Sequence, residues 1–408
     1  MTKSLERILW ISDYFPTPHD PTRGIWALET ILSIQKQGVQ VVVLSPSPWI
    51  PRWLAFTSTM RGWSGVPYEF KINGLPVFYP KCLYYPHRFT RYLYGFLPPF
   101  DRLTIFNWCR ETISRLVDRY PFQVIYSADF IFPSGFIGLE IKKRYGIPLI
   151  VHERGVHRLT LAISNTLRRK LYAQVLKESD IVITPSYKWA DIVNNIFNNT
   201  KEINVIRDGV NIKTADGLVQ QKPQIYKGKK VILSVGQLIQ RKGHEYLIRA
   251  INSIKYDFPN IKCIIIGSGK CIRSLENLIN ELALNNIVEL YGQLSHEEVL
   301  KTMSCCDVFV LPSWDEPFGT VYAEAMAFAK PIIACSGEGI SEVVKDGVQG
   351  LLVKKQNVES LAEALKKVLR DENLASSLGR EGRMLVEKEL NWDRIANQII
   401  DLYKQIII

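Results

Sequence analysis

Nowhere in the 408 residues do eighteen apolar residues follow one another, whereas a membrane-crossing helix needs about 20. No bilayer-spanning segment is expected. The amino end, Met1 to Arg7, runs directly toward an apolar stretch and lacks the long apolar core of a secretory signal. The 7 cysteines show neither Cys-x-x-Cys nor Cys/His ligand spacing, which excludes a zinc ribbon and a disulfide framework. They are expected to be reduced, in a cytoplasmic compartment. No recognition helix, zinc-finger spacing or RNA-binding aromatic motif is present, so nucleic acid is not an expected partner.

What is present is an ordinary globular composition, 47% hydrophobic, in a chain of two or three domain lengths. The net charge of +11 is one-sided: residues 1–213 hold 27 Lys+Arg against 16 Asp+Glu, and residues 214–408 hold 24 of each. Such a basic half suits an anionic membrane surface or a phosphorylated substrate. Between 46 and 107 the chain also gathers aromatics (Trp49, Trp53, Phe56, Trp63, Phe70 and a run from Tyr79 to Phe100). Arg52, Arg61, Lys71, Lys81, Arg88, Arg91 and Arg102 are interleaved with them. Ring amphipathicity and positive charge are what a membrane interface attracts; the other reading is an elaborated loop whose rings pack on a sheet.

Elsewhere the pattern alternates. Arg7 to Ser12 reads as a buried strand, Asp13 to Arg23 as a Pro-rich loop with Gly24 at its end, 25–36 as a helix and 39–44 as the next strand. Strands follow at 123–127, 148–152, 180–184 and 202–206, separated by helical spacing. Residues 212–228 have no periodicity and read as a linker. Alternation restarts at 230, with strands at about 261–266, 287–291, 307–311, 331–334 and 349–353. Helices are expected between them, including one at 338–345. The fold class is therefore α/β with doubly wound parallel sheets, a first domain over 1–211 and a second over 229–390. Gly267-Ser-Gly269 lacks the third glycine of a dinucleotide fingerprint and does not argue for NAD.

The stretch Trp314 to Phe328 is the centre of the chain. A strand ending at Pro312 leads through a tight loop into a helix starting near Gly319, whose unpaired N–H groups and dipole favour an anion. Glu316 stands outside that helix start and Glu324 lies eight positions on, on another side. Together they suit two parts of one elongated, phosphate-containing ligand; the alternative is two solvated glutamates on an amphipathic helix.

Glu316-Pro-Phe-Gly-Thr-Val-Tyr-Ala-Glu324 resembles the Glu-x7-Glu signature of retaining GT-B glycosyltransferases of family four. Ser336 to Gly350 resembles that family's following segment, and Asp20-Pro-Thr-Arg-Gly-Ile-Trp26 its first loop. The resemblance implies two Rossmann-like domains facing a cleft, the first (1–211) binding the acceptor and the second (229–390) the nucleotide-sugar, with a carboxyl-terminal helix, 391–408, crossing back onto the first. It implies a nucleotide-sugar donor, with Glu324 on the ribose hydroxyls and Glu316 against the transferred sugar. Phe318 belongs to the implied donor set, and the N–H groups of Gly319 and Thr320 meet the diphosphate. Gly236-Gln-Leu-Ile-Gln-Arg-Lys-Gly243 resembles the family's diphosphate loop. Lys242 keeps the Lys position, but Gln237 stands where the family has Arg, with Arg241 as a candidate replacement. Gly24 would let a phosphate or sugar approach.

In Pro148 to Gly155 the family's His position is taken by Arg154, flanked by His152 and His157. Which of the three meets the sugar stays open. Asp208-Gly-Val-Asn211 resembles the family's Asn-Gly-Val-Asp turn with its ends exchanged. There is no Asp-x-Asp, the pair that metal-dependent glycosyltransferases use to hold a divalent cation. Neither metal nor cofactor is expected, and the front-face retaining mechanism is implied. The expected activity is transfer to a lipid-linked or glycan acceptor in cell-surface polysaccharide or glycolipid synthesis, peripheral at the inner face of the membrane. The alternatives are a nucleotide-sugar epimerase or phosphorylase on the same scaffold, or a catalytically silent binding subunit.

Overall fold

The computed structural model describes residues 6–82, 98–129, 131–155 and 166–407. The chain divides into two compact units, Met1–Arg207 with Asp393–Ile408, and Asp208–Trp392.

The first unit is built on one eight-stranded sheet. Its strands are β1 (Arg7–Ile11), β2 (Gln40–Leu44), β4 (Glu69–Ile72), β5 (Leu75–Phe78), β7 (Val124–Ser127), β8 (Leu149–His152), β9 (Ile181–Thr184) and β10 (Ile203–Val205). Short β3 (Ser47–Pro48) and β6 (Lys81–Cys82) pair with each other. The order in the large sheet is β10-β9-β8-β7-β1-β2-β5-β4, with all pairs parallel except β4 to β5. β1 pairs with β2 on one side and β7 on the other. Its residues Ile8 to Ile11 are fully buried, as a parallel strand covered on both faces requires, which is why the run is continuously apolar. On one face Leu9, Ile11, Val42, Leu44, Ile125 and Val151 pack with Ile113 and Leu116 of the helix Pro98–Arg119.

The irregular segment after residue 46 holds more order than its composition suggests. Asn73 and Gly74 take φ of 51° and 82° and turn β4 back onto β5, the left-handed pair that a two-residue hairpin demands. Thr57 caps a helix, Ser58–Gly65, by accepting from the Met60 N–H. Residues 83–97, carrying Arg88, Arg91 and six of the aromatics, lie outside the described residues, as do His157 and the side chains of Phe100 and Arg102. The last helix, Trp392–Ile406, belongs to this unit from Asp393 onward. Its buried Tyr403 ring meets Tyr126 of β7 edge to face, with centroids 6.0 Å apart.

The second unit has β11 (Lys230–Val235), β12 (Ile261–Ile266), β13 (Val288–Gly292), β14 (Val308–Leu311), β15 (Ile332–Cys335) and β16 (Leu351–Val353). They form a parallel sheet of order β13-β12-β11-β14-β15-β16. The stretch read as a linker lies inside this unit. Asn211 caps the helix Ile212–Gly217, the Gln220 N–H donates to Ser304 Oγ at 3.2 Å, and Tyr226 is buried. These are tertiary contacts that periodicity does not register. The helix expected at 338–345 is only a 3₁₀ turn, Gly339–Glu342. Gly347, at φ 75°, turns the chain shortly after it. Glu372–Glu389 forms a further helix, capped by Asp371.

Candidate active site

Both sheets change direction at one place. In the second unit β11 has β12 on one side and β14 on the other, and in such sheets ligands bind outside the carboxyl ends of the strands where the order reverses. The loops emerging there are Gly236–Gly243 after β11 and Pro312–Gly319 after β14, the two stretches that carry the suspected donor residues.

These loops are locked backbone to backbone. The Trp314 N–H donates to Arg241 O at 2.9 Å. Gly243, at φ 72°, is so close to its neighbour that a Cβ would stand 2.2 Å from Pro312 O. The Gly-x-Gly after β12 supports the same place from behind: Cβ atoms on Gly267 and Gly269 would fall 1.9 Å from Gly236 O and 2.4 Å from Leu238 O. This pair of glycines is explained by backbone packing.

Glu316 lies at the junction, 8% exposed. One carboxylate oxygen, Oε2, accepts from Lys242 Nζ, from Arg241 Nη1 at 3.4 Å and from Ser313 Oγ at 2.9 Å. Burial by itself pushes its pKa up. The Lys242 and Arg241 charges, with the hydrogen bonds from Lys242 and Ser313, outweigh burial and hold it below the ordinary carboxylate value. The Glu316 N–H donates to buried Glu338 Oε2 at 3.0 Å, which ties the Glu-x7-Glu stretch to the segment after β15. Neighbouring His244 is buried, and desolvation with the Lys242 charge brings its pKa down to about 4, so it is neutral.

Gly319, at φ 88°, precedes the helix Thr320–Ala327. A Cβ there would strike the Tyr322 ring at 2.6 Å. Thr320 Oγ1 donates to Asp208 Oδ2 at 3.0 Å, and Asn211 caps the following helix. The two exchanged residues of the Asp208–Asn211 turn thus have separate local tasks. Phe318 is buried in the core with Phe309 and Tyr322, so only its backbone can serve a ligand. Gln237 is exposed. Glu324 is half-buried, and its Oε1 is 2.7 Å from Nε2 of His296, the first residue of the helix His296–Cys305. The structure therefore brings together Glu316, Lys242 and Arg241 through one carboxylate oxygen and gives Glu324 a partner of its own.

In the first unit the reversal falls between β1 and β7, and again the loops at the carboxyl ends carry the polar residues. Gly24, at φ 61°, starts the helix Ile25–Lys36, and a Cβ there would lie 1.9 Å from Tyr14 O. Its glycine is demanded by the close approach of the Ser12–Phe15 backbone. His152 is fully buried. Its Nδ1 is 2.7 Å from Tyr126 Oη and 3.1 Å from Arg154 Nη2. Since a guanidinium can only donate, Nδ1 is the acceptor and the proton sits on Nε2. Burial, then the Arg154 charge, keeps the ring's pKa well below its ordinary value. His152 is thus a neutral ring that orients Arg154. The Arg154 guanidinium also lies over the Trp26 ring, 4.1 Å from its centroid.

Asp129, beyond the end of β7, was not singled out from sequence. It is buried, and its Oδ2 accepts from Ser12 Oγ at 2.6 Å and the Tyr14 N–H at 3.2 Å. Burial and then the nearby Asp13 carboxylate raise its pKa well above the ordinary value. A polar residue after a central buried strand was the available signal. Among the described residues no group of three His, Cys, Asp or Glu side chains has metal-site geometry.

Residues 218–385 match the family described as glycosyl transferases group 1, and residues 24–214 match glycosyltransferase family 4. An uncharacterized glycosyltransferase of Methanocaldococcus jannaschii is 30% identical over 346 residues, covering 82% of this chain and 85% of the relative. Among solved structures, a sucrose-phosphate synthase of Thermosynechococcus elongatus superposes with a TM-score of 0.75 at 23% identity, over 98% of this chain and 99% of that one. HepE of Anabaena, solved with UDP and glucose, superposes with a TM-score of 0.72 at 16% identity, over 98% and 100%.

Proposed function

This chain belongs to glycosyltransferase family 4 and has the GT-B fold of two Rossmann-like α/β domains, and from that premise we propose that it moves a sugar from a nucleotide-sugar to a lipid-linked or glycan acceptor with retention of anomeric configuration. The observation that carries this reading is the convergence of Lys242 and Arg241 on Glu316 beside the start of the helix Thr320–Ala327. Breaking the bond between an anomeric carbon and a diphosphate builds negative charge on the phosphate and positive charge on the ring. Lys242, Arg241 and the N–H groups of Gly319 and Thr320 meet the first charge. Arg241 takes over from the family's Arg at the position of Gln237. Glu316, kept ionised by those cations, holds them in place and faces the sugar; Glu324 accepts from the ribose hydroxyls.

This scheme handles the diphosphate charge with cations and amides in place of a metal. In the first unit Arg154, oriented by His152, presents the fixed positive charge that replaces the family's histidine. The UDP and glucose bound by HepE support a nucleotide-sugar donor. A membrane-side acceptor is supported by Trp53 and Phe56, 75% and 74% exposed, with Trp49, Leu54 and exposed Arg52 and Arg61 beside them. No helix among the described residues is long and apolar enough to cross a bilayer, so the proposed contact is peripheral, on the cytoplasmic face.

The test is nucleotide release from UDP-, GDP- and ADP-sugars, with and without acceptor lipids or oligosaccharides, followed by NMR of the product linkage. Release that requires acceptor, with the donor's anomeric configuration kept, is the expected outcome. A sugar that changes configuration with no net release of nucleotide would favour an epimerase, sugar phosphate formed from a glycan and inorganic phosphate would favour a phosphorylase, and an inverted product would remove the retaining assignment.

A further inference from the structure

Several half-buried lysines in this protein meet carboxylates. Lys142 is 2.6 Å from Asp180, Lys222 is 2.6 Å from Asp307, and buried Lys262 is 2.5 Å from Glu289. Such pairing is the ordinary way to lower the cost of taking an ammonium out of water. Lys81, in β6, departs from it, as do Lys201 and Lys255, whose Nζ atoms donate to main-chain carbonyls; what sets Lys81 apart is the company of two further basic side chains. Its Nζ donates to the carbonyl of Trp63 at 3.3 Å, and among the described residues no carboxylate pairs with it.

Arg23 stands near the same tryptophan. Its guanidinium lies over the Tyr14 ring at 4.3 Å and the Trp63 ring at 4.9 Å. Nη2 donates to Asp13 O at 2.8 Å, and Nε is buried with no partner among the described residues. A third basic side chain, His19, sets its ring edge-on to Trp63 at 5.4 Å, and its Nδ1 is 3.1 Å from Thr17 Oγ1. Gly62 leaves room for it, since a Cβ there would touch the imidazole at 2.4 Å. The nearby acid is Asp20, which accepts from Thr22 Oγ1 at 3.0 Å. Two basic groups thus flank the Trp63 indole and a third, Lys81, meets the main-chain carbonyl of the same residue, beyond the carboxyl ends of β1 and β5 where the Ser12–Gly24 loop emerges. The same neighbourhood shows in their titration: burial brings Lys81 down to about 8, and His19 is lowered by burial and by the charges of Arg23 and Lys81, with Asp20 opposing.

We propose that His19, Arg23 and Lys81, gathered around Trp63, form a subsite for a phosphoryl group carried by the acceptor. A phosphoryl group carries up to two negative charges and offers several acceptor oxygens, and a planar guanidinium held by aromatic faces is preorganised for such a group. The proposal rests on reading the first unit as the acceptor-binding one. It narrows the acceptor class to phosphorylated sugars or to lipid-linked sugars with a phosphate next to the accepting residue.

The test uses the full chain in the Lys242→Gln background, which weakens the diphosphate site of the second unit, with inorganic phosphate as probe and calorimetry as readout. Lys81→Gln should weaken phosphate binding at least tenfold, and the charge-preserving Lys81→Arg should restore it to within threefold. Equal affinity in all three proteins overturns the proposal. Equal weakening by Lys81→Gln and Lys81→Arg overturns it as well, because charge would then not be what matters. Glucose 1-phosphate in solution and a polyprenyl phosphate in phosphatidylcholine vesicles separate the two sources: dependence on Lys81 for only one of them identifies which is the acceptor. If phosphate binding depends on Lys81 while no nucleotide-sugar is ever turned over, the anion site stands and the transferase reading fails.

Discussion

His296 Nε2 lies 2.7 Å from Glu324 Oε1, joining the first residue of one helix to the second turn of another. The imidazole fixes one carboxylate oxygen and leaves the other to accept from a ligand. Glu324→Gln should weaken binding of the free nucleotide by about 1.5–3 kcal/mol, the scale of a lost charge-assisted bond. Calorimetry decides it: an unchanged affinity removes the ribose assignment. His296→Ala should weaken binding less, since it frees the carboxylate without discharging it.

Lys242 and Arg241 share one oxygen of Glu316. Each, replaced by Ala, should lower turnover more than tenfold, corresponding to about 1.4 kcal/mol or more of barrier. Steady-state rates at saturating donor give the answer. A normal rate for Arg241→Ala would show that one cation suffices and that Gln237 marks a true loss.

Because the diphosphate is assigned to cations and amides, activity should survive excess EDTA. Complete loss on chelation, restored by Mg²⁺ or Mn²⁺, would count against that charge scheme.

Buried His244 is held neutral, with its pKa down to about 4, and buried His152 is shifted in the same direction. Their folded pKa values lie below the unfolded one, so the unfolded chain binds protons first as pH falls below about 6.5. Stability is full above that pH and declines toward pH 4, for His244 by an amount approaching about 3 kcal/mol at its end. Urea midpoints at pH 7 and pH 5 should therefore move closer together in His244→Gln than in the unsubstituted protein. An identical pH response of the two would place the acid sensitivity elsewhere.

Trp53 and Phe56 expose three quarters of their surface beside Arg52 and Arg61. Trp53→Ser with Phe56→Ser should release the protein from anionic vesicles in co-sedimentation, and raised salt should do the same, since the charge part is screened over about 8 Å at physiological ionic strength. Failure of the unsubstituted protein to bind at low salt would make a soluble glycan the better acceptor.

The alternation of strands and helices was legible because buried parallel strands write themselves as apolar runs, as Ile8 to Ile11 and Ile261 to Ile266 do. The Glu316 to Glu324 stretch and the Lys242 loop were legible as segments because each is short and has local chemistry, whereas the glycines at 24 and 243 are required by the backbones of Tyr14 and Pro312, which only the fold brings close. The hairpin at Asn73-Gly74 was equally local and was hidden only by the aromatic composition around it. Strand order was not readable, and with it went everything that depends on the switch points. Asp129 reaches Ser12 across 117 residues only because β7 lies beside β1. Lys81 looked like one more interleaved cation until β6 set it against Trp63. His152 and Arg154 were adjacent candidates in the sequence; folding buried the first as a neutral ring and made it the support of the second. Local pattern determines which segments become strands and turns, but which polar groups are left facing a charge, a ring or nothing is decided by the packing of segments far apart in the chain.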